Sequence, residues 1–335
     1  MKAWVLHGAN DLRYEEREIP KIREGEVLLR VEAAGICGSD IPRIYDTGAH
    51  VHPLIPGHEF AGTVVESADP ILIGKRMGVF PLIPCQDCEM CRQKKYEMCR
   101  KYNYLGSRCD GGFAEYVRVP IWNLIELPPE VTFEQAAMLE PLAVAVHAVR
   151  RAKVTEDDSA VIIGFGTIGA LIARVLQSAG IQDITAVVNK ESHRDAALAM
   201  GLNVEHYNED CATGTVVFEC VGRQETAARA IEIAAPGGCV VMVGNPHSDM
   251  TFSRNTYWKI LRSQLTVLGT WNSSFTKECS DDWHQALTLL RNNKHLMDGI
   301  VTHRLSLEEL DKGLCIMRNK TEGYGKILAV RAENQ

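Results

Sequence analysis

The chain has 335 residues, too many for one compact core, and that length predicts two domains. Its composition is that of a globular protein, with 46% hydrophobic, 24% charged and 7% aromatic residues, and a formal net charge of −7 argues against a dedicated nucleic-acid binder. Uncharged runs such as residues 159–173 fall short of a membrane span, and the first sixteen residues turn acidic too soon for a secretory signal. A cytoplasmic protein is expected, in which spaced cysteines bind metal or do chemistry rather than form disulfides, and the chain has eleven.

Residues 1 to about 145 read as short strands and turns. Residues 27–32 and 62–66 are apolar, β-branched runs bounded by glycine or proline, and eleven of the thirteen prolines lie before residue 145, where they are expected to break up any long helix. The texture then changes. A strand at 159–163 leads into a glycine loop and a helix over 170–179. Strands follow at 184–188 and 215–218, then a helix over 226–235 stopped by Pro236-Gly237-Gly238, and strands at 239–243 and 265–268. Strands alternating with helices predict a parallel sheet. Two helices, at 281–293 and 306–317, and a last strand at 326–330 close the chain.

Three constellations carry chemistry. The first is Gly164-Phe165-Gly166-Thr167-Ile168-Gly169, which follows a predicted strand and opens a helix, the context that gives a G-x-G-x-x-G its meaning. Gly164 permits the tight turn, Gly166 lets backbone approach a pyrophosphate, and Gly169 allows close helix–strand packing. The acidic residue that hydrogen-bonds the ribose of NAD is missing at the end of the second strand; Val188 is followed by Asn189, Lys190 and, four residues later, Arg194. An amide backed by two cations suits the 2′-phosphate of NADP, which is favoured over NAD, although such a charge run also suits a solvated helix start.

The second constellation is Cys85-x-x-Cys88-x-x-Cys91-x7-Cys99. Four thiolates in fifteen residues match a closed tetrahedral structural zinc site, with an iron–sulfur cluster as the competing ligand set. The third is dispersed: Cys37, the pair His58-Glu59, and Glu140. A thiolate, an imidazole and carboxylates make a plausible open zinc site, while each residue alone is bland.

These motifs, in this order, resemble the zinc-dependent medium-chain dehydrogenases over essentially the whole chain. The stretch Glu140-Pro141-Leu142-Ala143-Val144-Ala145-Val146-His147 is similar to the polyol branch, the sorbitol dehydrogenase type, in which glutamate stands where liver-type alcohol dehydrogenases have cysteine. Residues 37–43 and 106–116 are similar to galactitol-1-phosphate 5-dehydrogenases. The resemblance implies an α/β protein with a GroES-like, β-rich catalytic domain in two parts, 1–146 (with a zinc lobe at 85–99) and 272–335, around a Rossmann doubly wound domain at 147–271. It implies two zinc ions. Cys37, His58 and Glu59 would hold a catalytic zinc, with Glu140 binding directly or through water, and Cys85, Cys88, Cys91 and Cys99 would hold the structural ion. Ser39 would bond the substrate oxygen and pass its proton outward. Hydride would move between a secondary alcohol of a polyol, or polyol phosphate, and NAD(P). A homodimer or homotetramer is expected, with the strand at 265–268 pairing edge to edge.

Besides the missing strand-end acid, two departures from the family pattern stand out. The relay histidine of many relatives is Pro42 here, with His50 or water as substitutes. The segments 67–74 and 208–213 look shortened, the latter at the expense of a crossover helix. A phosphorylated substrate needs local positive charge, for which Arg43 is the candidate, against the plainer reading of an arginine paired with a carboxylate. An unphosphorylated polyol is the alternative substrate. A function of another class, a dinucleotide-binding sensor with only the structural zinc, is disfavoured because it has no need of an intact Cys37, His58, Glu59 and Glu140 set.

Overall fold

The computed structural model describes residues 1–209, 211–246 and 248–332. The chain forms two compact units, Met1–Glu140 with Ser274–Gln335, and Pro141–Ser273.

The first unit is built on a seven-stranded sheet. Its order is Val301–Leu305, Lys326–Val330, Glu26–Gly35, Glu59–Ser67, Arg76–Val79 and Leu124–Glu126, with Tyr116–Pro120 also pairing with Glu26–Gly35. Only the first pair is parallel. Strand Glu26–Gly35 is therefore central, and its Val27, Leu29 and Val31 join Leu6, Phe60, Phe113 and Leu314 in one core. The C-terminal strand lies beside it, so residues separated by most of the chain become neighbours. A second tie joins the two pieces of this unit. Phe80 from the first packs on Phe275 and Trp283 from the second, with ring centroids 5.0 and 5.4 Å away, and all three are fully buried.

In the second unit six strands pair in parallel, in the order Asn203–His206, Ile184–Val188, Ala160–Ile163, Gly214–Glu219, Ala234–Met242 and Thr266–Gly269. Numbered along the chain this is 3-2-1-4-5-6, the Rossmann arrangement. Ala160–Ile163 and Ile184–Val188 are buried at every residue, as expected for strands covered on both faces. Helices Thr167–Ser178, Glu191–Ala199, Gln224–Glu232 and Arg254–Arg262 complete the unit. Among the described residues no helix is long and apolar enough to cross a membrane.

The structure corrects four readings of the sequence. A 14-residue helix, Leu139–Ala152, begins within the stretch that proline was expected to keep free of long helices. Pro141 lies in its first turn, where a backbone N–H has no intrahelical partner to lose. The strand read as the third of the parallel sheet is the fourth, because Asn203–His206, short and partly exposed, carries no apolar alternation. The helix over 226–235 ends at Glu232; Ala234 already pairs with Gly214, and the register shifts after it, where the strand accommodates Pro236. The helix read at 306–317 spans Leu310–Asn319, since the Ser306 hydroxyl accepts the Glu309 N–H and closes a separate turn before it.

Replacing Trp283 with alanine removes the largest buried side chain of the aromatic tie. We expect a loss of about 3–5 kcal/mol in denaturant unfolding of the first unit.

Candidate functional site

Strand register assembles the site. Gly35 ends the central strand opposite Glu59, which begins the next one, so Cys37, just beyond the first, meets His58 and Glu59 at the start of the second. The ligand atoms of Cys37, His58 and Glu59 all lie within 4.8 Å of one another. Gly35 is required there, because a Cβ at that position would run into the Glu59 carboxylate.

His58 and Glu59 are buried and Cys37 partly so. Asp40, fully buried, organises one side: one oxygen accepts the Cys37 backbone N–H at 3.0 Å, and the other accepts Arg43 Nη1 at 2.6 Å. That second oxygen lies 3.5 Å from His58 Nδ1, which has no hydrogen-bond partner among the described residues. Burial opposes charge on both groups. Even so, the Asp40 carboxylate and the Cys37 sulfur lift the His58 pKa well above its usual value, while His58 and Arg43 hold Asp40 below the ordinary carboxyl range. A buried imidazole nitrogen without a partner, beside a thiol and a carboxylate, is a donor set that fits a zinc-type cation.

On the other side of Glu59 stands Lys326, the first residue of the C-terminal strand. Its Nζ donates to both Glu59 oxygens, at 2.7 and 2.5 Å, and to the Ile36 carbonyl at 3.0 Å. Glu140 is buried and accepts a hydrogen bond from the Tyr104 hydroxyl at 3.3 Å. It falls outside the 4.8 Å set. Burial first, and then the Glu59 charge, pushes its pKa up to about 7. Tyr104 in turn packs edge-on against the His58 ring at 5.8 Å, and burial raises its own pKa further. Ser39 Oγ donates to Cys37 Sγ at 3.4 Å. His50 has no hydrogen bond to Ser39; burial, Arg108 and Arg43 all lower its pKa.

The four-cysteine lobe is equally well gathered. The Sγ atoms of Cys85, Cys88, Cys91 and Cys99 share one 4.8 Å neighbourhood, with Cys88–Cys91 at 3.5 Å and Cys85–Cys91 and Cys88–Cys99 at 3.9 Å. A tetrahedron with metal–sulfur bonds of about 2.3 Å has edges of about 3.8 Å, so this packing fits a zinc ion. Backbone N–H groups point at the sulfurs: Cys85 N to Cys99 and Cys88 N to Cys85, at 3.3 and 3.4 Å. Backbone donors from Cys91 and Arg100 pull the Cys88 thiol down to about 6, whereas burial pushes Cys91 up to about 12.

In the second unit Gly164 has φ +90°, the left-handed region that favours glycine. Gly166 is exposed with open space around it, at the N-terminus of helix Thr167–Ser178. Gly169 packs so closely on the Gly164 carbonyl that no Cβ fits. Thr167 and Ile168, partly buried, form the first turn of that helix. Asn189 and Lys190 are exposed just beyond the second strand, and Arg194 lies one turn into the next helix, its Nε 3.9 Å from Glu191.

This geometry has clear relatives. The alcohol dehydrogenase GroES-like domain family matches residues 23–129, and the zinc-binding dehydrogenase family matches residues 167–292. Galactitol 1-phosphate 5-dehydrogenase of Escherichia coli K12 is 33% identical, over 98% of this chain and 100% of the relative. The chain belongs to the zinc-dependent medium-chain dehydrogenases. This dehydrogenase is also 31% identical to a sorbitol dehydrogenase of Bombyx mori, over 95% of each chain, which places it in the polyol branch. A crystal structure of galactitol-1-phosphate dehydrogenase from Escherichia coli superposes with a TM-score of 0.90 at 32% identity, covering 99% of this chain and 100% of that one. A zinc-binding dehydrogenase from Sinorhizobium meliloti, solved bound to NADP, gives 0.88 at 28% identity, covering 98% and 99%. The expected architecture, a GroES-like domain plus a Rossmann domain, is thus the observed one.

Four site residues carried no sequence signal of their own: Gly35, Asp40, Tyr104 and Lys326. Asp40 was within reach, standing three residues after Cys37 in a glycine-bounded turn. Lys326 was not, since 267 residues separate it from Glu59.

The raised Glu140 pKa has a measurable consequence in metal-free protein. Between the ordinary carboxyl range and about pH 7 the folded state keeps a proton that the unfolded chain has released, so this contribution to stability is lost as pH rises through about 7. Glu140→Gln is expected to flatten that decline by up to about 1.4 kcal/mol per pH unit, read from denaturant unfolding at pH 5, 6, 7 and 8.

Proposed function

We propose that this dehydrogenase moves hydride between a secondary alcohol of a phosphorylated polyol and NADP, with two zinc ions per chain. The structural ion sits on Cys85, Cys88, Cys91 and Cys99. The catalytic ion sits on Cys37, His58 and Glu59, with Glu140 completing its surroundings. When bound, that ion supplies a Lewis acid that acidifies the substrate hydroxyl. The chain's own residues do the rest. Ser39, partly exposed beside Cys37, takes the hydroxyl proton and hands it to water, since Pro42 offers no relay. Asp40 fixes the Cys37 backbone, and Tyr104 holds Glu140 in place.

The observation that carries the phosphate is positive charge beside the site. Arg43 is anchored by Asp40, whose same oxygen lies 3.5 Å from His58. Arg108 lies over the Tyr102 ring at 4.7 Å, next to Tyr104, and both arginines act on His50. Among the described residues Arg108 has no carboxylate partner. The relative that acts on galactitol 1-phosphate supports this reading. The pairing of Arg43 with Asp40 favours the competing one, an unphosphorylated polyol, as for the sorbitol dehydrogenase relative. Assay of polyols against their 1-phosphates separates the two. We expect the phosphate to raise kcat/KM, and Arg108→Ala to lower it by about tenfold for the phosphorylated substrate while sparing the plain polyol; equal rates on both overturn the assignment.

For the coenzyme, the absent strand-end carboxylate together with Asn189, Lys190 and Arg194 supports NADP, as does the NADP-bound relative. Titration should show tighter NADP than NAD, with Lys190→Ala and Arg194→Ala each weakening NADP several-fold and leaving NAD unchanged.

The edge strand Thr266–Gly269 exposes Val267, and Tyr257, Trp258, Leu261 and Trp271 are exposed in the same stretch of chain. An uncovered apolar edge supports pairing with a second copy as a homodimer. Light scattering should give a dimer for the native chain and a monomer for Val267→Lys.

A further inference from the structure

Glu59 has a partner that no metal-binding motif calls for. Lys326 is 3% exposed and Glu59 1%, so both charges are removed from water, at a cost that only close pairing offsets. All three ammonium donors are spent inside the site, two on the Glu59 oxygens and one on the Ile36 carbonyl, next to Cys37. Sheet order enforces the arrangement: the C-terminal strand pairs with the strand ending at Gly35, Leu328 stands opposite Gly35, and Glu59 faces Gly35 from the other side. Lys326 therefore reaches Glu59 across the end of the central strand, next to Ile36 and Cys37.

We propose that Lys326 is a positioning residue that serves as a built-in counter-charge for Glu59 and makes the carboxylate a shared rather than a dedicated metal ligand. The inference rests on the reading above that Cys37, His58 and Glu59 hold a cation. A carboxylate that already accepts ammonium hydrogen bonds at both oxygens has less charge to give a cation. Its site also needs no metal to stay folded. Lys326 thereby keeps the metal-free site preformed and the ion loosely held, whereas without it Glu59 would be a buried charge that only the metal compensates.

The test uses the full-length protein stripped of metal and titrated with Zn²⁺ against a chromophoric chelator. Native protein should show two classes of site, and Glu59→Gln should abolish or weaken the looser one. Lys326→Met should tighten the looser class by at least tenfold and leave the four-cysteine class unmoved. Its thermal midpoint should fall in the metal-free state and recover with Zn²⁺ by more than the native protein gains. Lys326→Arg, which keeps the charge, should stay within about threefold of native. Should Lys326→Met fail to fold, Lys326→Gln, which retains a hydrogen bond without the charge, carries the same expectation with a smaller shift. Two classes of site with an unchanged or weakened looser class in the neutral variant overturn this inference alone and leave Lys326 a structural residue. A single class in native protein, unaffected by Glu59→Gln, overturns the metal reading and this inference with it.

Discussion

The molecule is organised around a concentration of charge where water is scarce. Asp40, Glu59, Arg43 and Lys326 converge on His58 and Cys37, and among them Asp40, Glu59 and Lys326 are almost wholly buried. Charges in such a place persist only when each has a partner at hydrogen-bond distance. Here every partner is delivered by backbone geometry. A turn after the central strand brings Asp40 back onto Cys37 and leaves Arg43 one helical turn further on. Two strands flanking the same central strand bring Glu59 and Lys326 together. The side chains are therefore held in place by the fold itself, which is the condition for a site to act electrostatically without reorganising.

The two units divide the chemistry by the kind of rigidity each offers. Antiparallel strands with irregular connections at their ends place unlike side chains at close quarters, which suits a mixed thiol, imidazole and carboxylate set. A parallel sheet buried on both faces presents instead a helix N-terminus and a glycine turn whose backbone is open, which suits a phosphate-bearing cofactor. The four-cysteine lobe solves a third problem. Its helices are only three or four residues long, and thiol clustering supplies the order that so short a segment cannot obtain from a core.

Much of this was legible in the sequence where the signal is local. The spacing of Cys85 to Cys99, the G-x-G-x-x-G after an apolar run and the last strand at 326–330 are properties of contiguous residues, and resemblance over the whole chain joined the dispersed Cys37, His58, Glu59 and Glu140 into one expectation. What was not legible depends on tertiary pairing. Lys326 reads as an ordinary strand-start lysine until the sheet sets it against Glu59. Asn203–His206 lacks a periodic pattern because it is a short edge strand supported by its neighbour. Pro141 reads as a helix breaker until the helix is seen to start around it, and Pro236 reads as a helix stop when the strand has already begun. Arg43 combined both readings weighed for it, lying near the site yet held by a carboxylate.

The place of the C-terminal strand governs how the molecule can be made. Strand Glu26–Gly35 pairs with Tyr116–Pro120 along residues 26–30 but meets its C-terminal neighbour only at residues 33–35, so during synthesis that end of the central strand stays open until residues 326–330 have been made. Until then Glu59 lacks its cation and the first 140 residues carry an unpaired sheet edge, a state prone to wrong association. The unit at 141–273 has all its strands within one contiguous stretch and can fold meanwhile. The reactive centre is thus the part of the fold whose partners are synthesised furthest apart in time, 267 residues separating Glu59 from Lys326.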